Sequence, residues 1–231
     1  MLRVGLTGSL GSGKSTAAAM LRECGAHIIE ADALGRELME PGQPVFAEIV
    51  RVFGRQVLTS DGKLDRLRLA QLAFAGGRIQ ELNAIVHPAV IDLQRKQIDE
   101  IFAREPSSVA IIETALLFEA VRDGRARGEQ ESVLSNWRRR IDRVIVVTAP
   151  DDLKIARYAA RIAPSGPARG AAEADARLRL SHQIPDAEKA AQADYVLDNS
   201  GDLDSLRAQV RALWPRLQGE SNKITQQMSL Q

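Results

Sequence analysis

"GLTGSLGSGKST", residues 5–16, decides how this chain can begin to fold. Gly8, four residues, then Gly13, Lys14 and Ser15 satisfy the pattern G-x-x-x-x-G-K-[ST]. A loop of this kind works only if a buried strand delivers the chain to it and a helix carries the chain away. Both flanks comply. "LRVGL", residues 2–6, is a short apolar run, and "STAAAMLRE", residues 15–23, is rich in helix formers. Glycine permits positive φ and lets backbone N–H groups approach a ligand closely. The helix behind the loop adds unpaired donors and a positive dipole end. The expected ligand is a chain of phosphates held by Gly11, Ser12, Gly13, Lys14, Ser15 and Thr16. Lys14 reaches the β- and γ-phosphates, and the Ser15 hydroxyl is placed for Mg²⁺.

The rest of the 231-residue chain alternates. Residues 3–7, 27–30, 109–113, 143–148 and 195–198 are short, β-branched and apolar, as strands buried on both faces are. Helical patterns lie between them. The prediction is an α/β fold with a five-stranded parallel sheet and helices on both faces. Two stretches interrupt the alternation. Residues 32–105 carry helix after helix with no strand signal, too long for a crossover, and read as a helical insertion. Within it Pro88 is expected to begin a helix running to about Arg104, with His87 just ahead of its first turn. Residues 157–185 are arginine-rich and broken by "APSGPARG", which marks a mobile connector. Residues 122–140 are strongly charged and read as an exposed loop or helix. The closing "GESNKITQQMSLQ" is polar and reads as a frayed, disordered tail.

Composition excludes several classes. A net charge of +1 argues against nucleic-acid binding driven by bulk electrostatics. Cys24 is the only cysteine, so no intrachain disulfide can form. A core thiol in a reducing cytoplasm is expected. The chain opens on a strand, so no signal peptide is expected. No apolar run approaches the ~18 residues that mark a membrane-spanning helix. Three histidines and one cysteine offer no zinc spacing, and no obligatory protein partner is evident.

A phosphate loop says nucleotide without saying which reaction. "DALG", residues 32–35, matches the D-x-x-G of GTPase switches, but it lies close behind the loop and follows the second strand. The guanine-reading N-K-x-D is missing; "NKIT" fails at its last position. A nucleotide-dependent regulator would bind ATP without an acceptor. A small-molecule kinase fits better. It needs an acceptor-binding insertion and a closing lid with cationic side chains, and the chain interrupts its alternation in two places.

At this point the residues carry a resemblance. "GLTGSLGSGKST", "EADALGRELMEPG", "LNAIVHP", "ETALLFEA", "DRVIVVTAP" and "ADYVLDNSG" resemble, in order and approximate spacing, the dephospho-CoA kinase family. The likeness spans about residues 3 to 214. It implies a P-loop kinase that uses ATP and Mg²⁺ to phosphorylate the ribose 3′-hydroxyl of dephospho-CoA, the last step of CoA synthesis. The alternative within the same fold is a nucleoside monophosphate kinase, against which "LLFE" and "DNSG" speak. The implied partition is one kinase domain over 1–218. Its core is 1–31, 106–156 and 187–218, its acceptor-binding insertion 32–105 and its lid 157–186, with a tail at 219–231. Two acids depart from the family pattern. Glu30-Ala31-Asp32 stands for D-A-D, and Glu113 opens a segment that usually begins with Asp and holds proline where Ala115 stands. Each longer arm moves its carboxylate by over ~1 Å. The charged stretch after Glu119 is also longer than the family's.

Roles follow residue by residue, from place in the chain and, for Arg36 and the lid arginines, from the resemblance. Asp32, just past the second strand, accepts the acceptor's proton or orients Mg²⁺-bound water, or else caps its helix. Glu113 reaches Mg²⁺ through water or bonds the loop, and Glu30 is similar. Arg36, one turn beyond Asp32, contacts the acceptor or forms a surface ion pair. His87 contacts the acceptor or caps a helix. Arg157 and Arg161 share one face of a helix entering the lid, and Arg161 places a cation over the β–γ bridge. Asn199 approaches the adenine or serves a turn. Leu117 and Phe118, with Leu116, wall the acceptor pocket or belong to the core.

Overall fold

The computed structural model describes residues 1–126, 136–164 and 168–228. The chain divides into two compact units, Met1–Ile29 with Ile101–Gln231, and Glu30–Glu100.

The larger unit is organised by the sheet. β1 (Leu2–Thr7), β2 (His27–Glu30), β3 (Val109–Glu113), β4 (Arg143–Thr148) and β5 (Tyr195–Asp198) lie in the order β2-β3-β1-β4-β5. β1 runs parallel to β3 on one side and β4 on the other, and β4 pairs in parallel with β5. The chain leaves β1 toward one edge and β4 toward the other, so a crevice opens beyond their C-terminal ends. The expected fold class is what the chain adopts.

Both faces of β1 are covered, which is why its sequence is almost continuously apolar. Leu2, Val4 and Leu6 join one buried cluster with Ala17 and Leu21 of α1 (Lys14–Glu23). Val109, Ile111, Ile145, Val147 and Leu197 from the neighbouring strands complete it. The cluster is closed by Leu206, Val210, Leu213 and Leu217, one stripe of α10 (Leu203–Met228). On the other face Gly5 lies against Ile141 and against Leu117 of α6 (Leu117–Ala126).

The stripe on α10 does not stop where the apolar residues stop. Four and eight residues past Leu217 come Ser221 and Thr225. The Ser221 hydroxyl, fully buried, donates to the carbonyls of Ser107 and Ser108 at 2.9 and 2.8 Å, and Thr225 Oγ1 donates to the Pro106 carbonyl at 2.9 Å. The Met1 amine donates to the Ser221 carbonyl at 3.2 Å. This corrects the expectation of a disordered tail from residue 219: α10 continues to Met228. Its polar residues hold the turn before β3 in place of apolar ones.

The segment after β4 forms α7 (Asp151–Ile162) and α8 (Ala168–His182). They pack through Ile155, Tyr158 and Ala176, and through Ala159, Ala163 and Ala172. The Tyr158 hydroxyl donates to Asp175 at 2.5 Å. Part of the "APSGPARG" connector, 165–167, lies outside the described residues. α9 (Asp186–Ala190) leads back to β5. Of the charged stretch 122–140, residues 127–135 lie outside those described. The rest is not purely a solvated face, because Trp137 is buried, edge-on to Phe118 at 6.1 Å.

The smaller unit is helical. α2 (Ala31–Leu38) is followed by α3 (Pro44–Phe53), which starts on proline and ends before Gly54 at φ 81°. Val45, Ile49 and Phe53 form the α3 stripe and pack on Val57, Leu64 and Leu69, the last from α4 (Arg66–Ala70). α5 (Ile79–Arg104) begins nine residues before Pro88, which sits inside it. The expected start at Pro88 is therefore corrected. Proline removes the bond to the Ala84 carbonyl, yet helix continues on both sides of it. Among the described residues no helix is long and apolar enough to cross a membrane.

Candidate active site

β1 hands the chain to the loop at Gly8, and α1 takes it up at Lys14. Gly13 caps α1 at φ 95° with no side-chain hydrogen bond, and no acidic residue lies in the first turn. The first amides of the helix are thus left for an anion. Two glycines are demanded by their neighbours as well as by φ. A Cβ on Gly13 would lie 2.1 Å from the Asn199 amide nitrogen, and one on Gly11 (φ 73°) 2.3 Å from the Lys154 carbonyl oxygen. Lys14 Nζ donates to the Gly8 and Ser9 carbonyls at 2.8 and 3.2 Å, closing the loop on itself. Ser15 Oγ donates to Glu113 Oε1 at 2.7 Å. The longer arm of Glu113 therefore meets the loop. Thr16 is half-buried behind Ser15.

Asn199 is 4% exposed. Its Nδ2 donates to the Ser12 carbonyl at 2.8 Å, and its own carbonyl accepts from Arg157 Nη2 at 3.0 Å. The end of β5 thus clasps the loop, and Arg157 clasps the end of β5. Arg161, one turn further along α7, is exposed over the Tyr158 ring at 5.6 Å. Leu117 and Phe118 are both buried. Leu117 faces Gly5, as ordinary core. Phe118 lines a groove of about 420 Å³ with Val121, Arg122 and residues 183–185, 188 and 192. Of the apolar trio only Leu116 is open to solvent, at 50%.

In the smaller unit Asp32 is the second residue of α2, and Glu30 holds the N-cap position without a side-chain cap bond. The reading of Asp32 as a cap is thereby corrected. Asp32 and Arg36 are both exposed and lie four apart on one helix face. Among the described residues neither side chain has a hydrogen-bond or ion-pair partner; Arg36 takes part only through its carbonyl, which accepts from Arg66. His87 is half-buried and the ninth residue of α5, so it caps nothing. Gly35 of α2 faces Val90 of α5. Among the described residues no group of three or more His, Cys, Asp or Glu gathers as a metal site.

Sequence reasoning missed a buried polar network behind the loop. Glu119, Lys154 and Lys189 are 4%, 3% and 0% exposed, and Asp186 joins them. Burial raises the Asp186 carboxyl, but hydrogen bonds from Ser9, Lys154 and the Ala149 N–H outweigh it and hold the group below the usual carboxylate range. Glu119 ends the quoted "LLFE", which is the one signal available. Lys189 sits in "AEKAAQA", which reads as a solvated helix face.

Comparison with known proteins gives the family. A family model described as dephospho-CoA kinase matches residues 2–205. The dephospho-CoA kinase of Moorella thermoacetica is 39% identical over 219 residues, 94% of this chain and 93% of that protein. That of Symbiobacterium thermophilum is 42% identical over 212 residues, 91% and 79% of the two chains. Among solved structures, the Thermus thermophilus protein TT1252 superposes with a TM-score of 0.70 at 29% identity, covering 94% of this chain and 97% of that one. The dephospho-CoA kinase of Campylobacter jejuni shares the fold at a TM-score of 0.56 and 19% identity, over 93% and 96%. On the match over most of its length, the chain belongs to the dephospho-CoA kinase family.

Proposed function

We propose that the protein transfers the terminal phosphoryl group of ATP to the ribose 3′-hydroxyl of dephospho-CoA, giving CoA and ADP in the last step of coenzyme A biosynthesis. The observation that carries the reading is the family match over residues 2–205, and the loop supplies the phosphate chemistry it requires. A glycine-capped helix N-terminus stands beside a lysine folded onto the loop carbonyls and a hydroxyl–carboxylate pair.

In this reading the triphosphate takes the free amides at the start of α1. Lys14 exchanges the Gly8 and Ser9 carbonyls for phosphate oxygens and stabilises the charge that develops on the transferring group. Ser15 and Glu113 bring a hydroxyl and a carboxylate together, an all-oxygen donor set that fits a hard cation such as Mg²⁺. Bound there, the ion neutralises phosphate charge. Asp32 accepts the proton of the attacking hydroxyl, a role supported by an exposed carboxylate with no partner among the described residues. Arg36 pairs with an anionic group of the acceptor, and His87 and Phe118 contact it. Residues 32–105 bind the acceptor, and 157–186 act as the lid that brings Arg161 to the phosphates. The setting is the cytoplasm, with Cys24 a thiol packed against the core.

Coupled measurement of ADP release tests this. With ATP and Mg²⁺, release should depend on dephospho-CoA and be negligible with nucleoside monophosphates. ADP release that ignores dephospho-CoA, or prefers a monophosphate, contradicts it.

A further inference from the structure

The phosphate loop is held from behind by the segment that follows α8. The Leu10 N–H donates to Gln183 Oε1 at 2.9 Å. The Ser9 hydroxyl donates to Asp186 Oδ1 at 2.5 Å and accepts from Lys189 Nζ at 3.3 Å. Lys189 pairs with Glu119 at 2.7 Å, and Glu119 Oε1 also accepts the Ile184 N–H at 3.0 Å. On the other flank Asp186 Oδ2 accepts from Lys154 Nζ at 2.9 Å and from the Ala149 N–H at 3.2 Å. The carbonyl of that same Lys154 occupies the space a Gly11 side chain would need. Three consecutive loop residues, Ser9 to Gly11, are therefore clamped from outside.

Two features distinguish this clamp from ordinary packing. First, its four inner charges cancel: Glu119 and Asp186 against Lys154 and Lys189. Buried ion pairs are a poor source of stability, because desolvation offsets much of the attraction, but each partner has a required direction. Second, the Ser9 hydroxyl is fixed through both its proton and its lone pair, while the Ser9 carbonyl receives Lys14 Nζ. One residue joins the buried charges to the lysine of the loop. The Leu10 amide is occupied by Gln183, so phosphate-facing donors are left to the later half of the loop.

We propose that Asp186 and Lys189 are positioning residues for phosphoryl transfer: through the Ser9 hydroxyl they set the loop backbone that aims Lys14. The proposal rests on the loop reading given above. It adds that the aim of Lys14 is set by the residues just beyond α8, outside the loop itself.

Ser9→Ala is the informative variant. It removes the shared hydroxyl but leaves the Lys189–Glu119 and Lys154–Asp186 pairs intact, so folding is preserved. Asp186→Asn, which keeps the side-chain shape, is the second. Three quantities are measured on each: kcat from coupled ADP release at saturating substrates, affinity for a non-hydrolysable ATP analogue by calorimetry, and Tm. For Ser9→Ala we expect kcat to fall at least about tenfold, in the manner of a lost transition-state interaction. Analogue affinity should stay within about threefold, because Lys14 and the amides at the start of α1 remain, and Tm should change little. Ser9→Thr, which restores a hydroxyl, should recover most of the turnover. Asp186→Asn should lower kcat in the same direction in the folded fraction. If both variants keep kcat within about twofold of wild type, whatever their Tm, the network is only structural and the proposal is overturned. Wild-type protein with no dephospho-CoA-dependent ADP release would instead overturn the functional reading. The positioning proposal would also fall if both variants lost analogue binding together with turnover.

Discussion

At the residue scale the loop and the acid beyond β2 carry separate tasks in the proposed reaction, holding phosphate and accepting a proton. The loop is a contiguous pattern whose chemistry follows from glycine, lysine and hydroxyl at fixed spacing, and each takes up a partner near at hand. Asp32 was legible only through its place after a strand. Its structural environment adds that Glu30, not Asp32, holds the cap position, which leaves Asp32 a first-turn acid favoured by the helix dipole rather than a cap. Asp186 and Lys189 were not legible, and Glu119 only as the end of "LLFE". Burial of a charged residue depends on partners from remote parts of the chain, and no local pattern encodes it. If Asp32 accepts the hydroxyl proton, Asp32→Asn should lower kcat and kcat/KM together by at least about a hundredfold, with KM little changed. ATP affinity should weaken far less, because Lys14 and the loop amides remain. Turnover within about threefold of wild type would return the search for a base to Glu30 or Glu113.

Elements were readable where one physical cause dominated. The three inner strands, β1, β3 and β4, were found because burial on both faces leaves little room for polar residues, as in "VGL" and "VIVV"; the edge strands β2 and β5 are shorter, half-exposed and were found by their apolar centres. Helix boundaries failed where a local signal was overridden. Pro88 is a helix starter by propensity, yet it lies inside α5. The end of α10 was missed because Ser221 and Thr225 look like tail residues and serve as hydrogen-bond donors to the turn at 106–108. Pro88 offers a direct check. In a helix interior Pro→Ala restores an N–H for the Ala84 carbonyl and should stabilise the protein by about 1 kcal/mol or more, since proline there costs roughly 3. At a helix start the same change would be neutral or mildly destabilising. A rise in the urea midpoint with unchanged slope supports the continuous helix; no rise contradicts it.

For the whole molecule, the buried network ties acid stability to the phosphate loop. Asp186 is held below the ordinary carboxylate range, so its contribution is complete above the unfolded value near ~4 and disappears as pH falls through the lower folded value. The part of Tm that Asp186 carries should therefore be flat across neutral pH and be lost below about pH 4. Asp186→Asn should show a smaller acid loss than wild type, and an identical acid profile would mean that Asp186 does not carry it.

The account as a whole claims that ATP's terminal phosphoryl group ends on one hydroxyl of dephospho-CoA. Product analysis tests that most directly: incubation with ATP, Mg²⁺ and dephospho-CoA, followed by mass spectrometry and phosphorus NMR of the product. The account predicts one added phosphate, at the ribose 3′ position, with an equivalent of ADP. Unchanged dephospho-CoA, or a phosphate at another position, would contradict it.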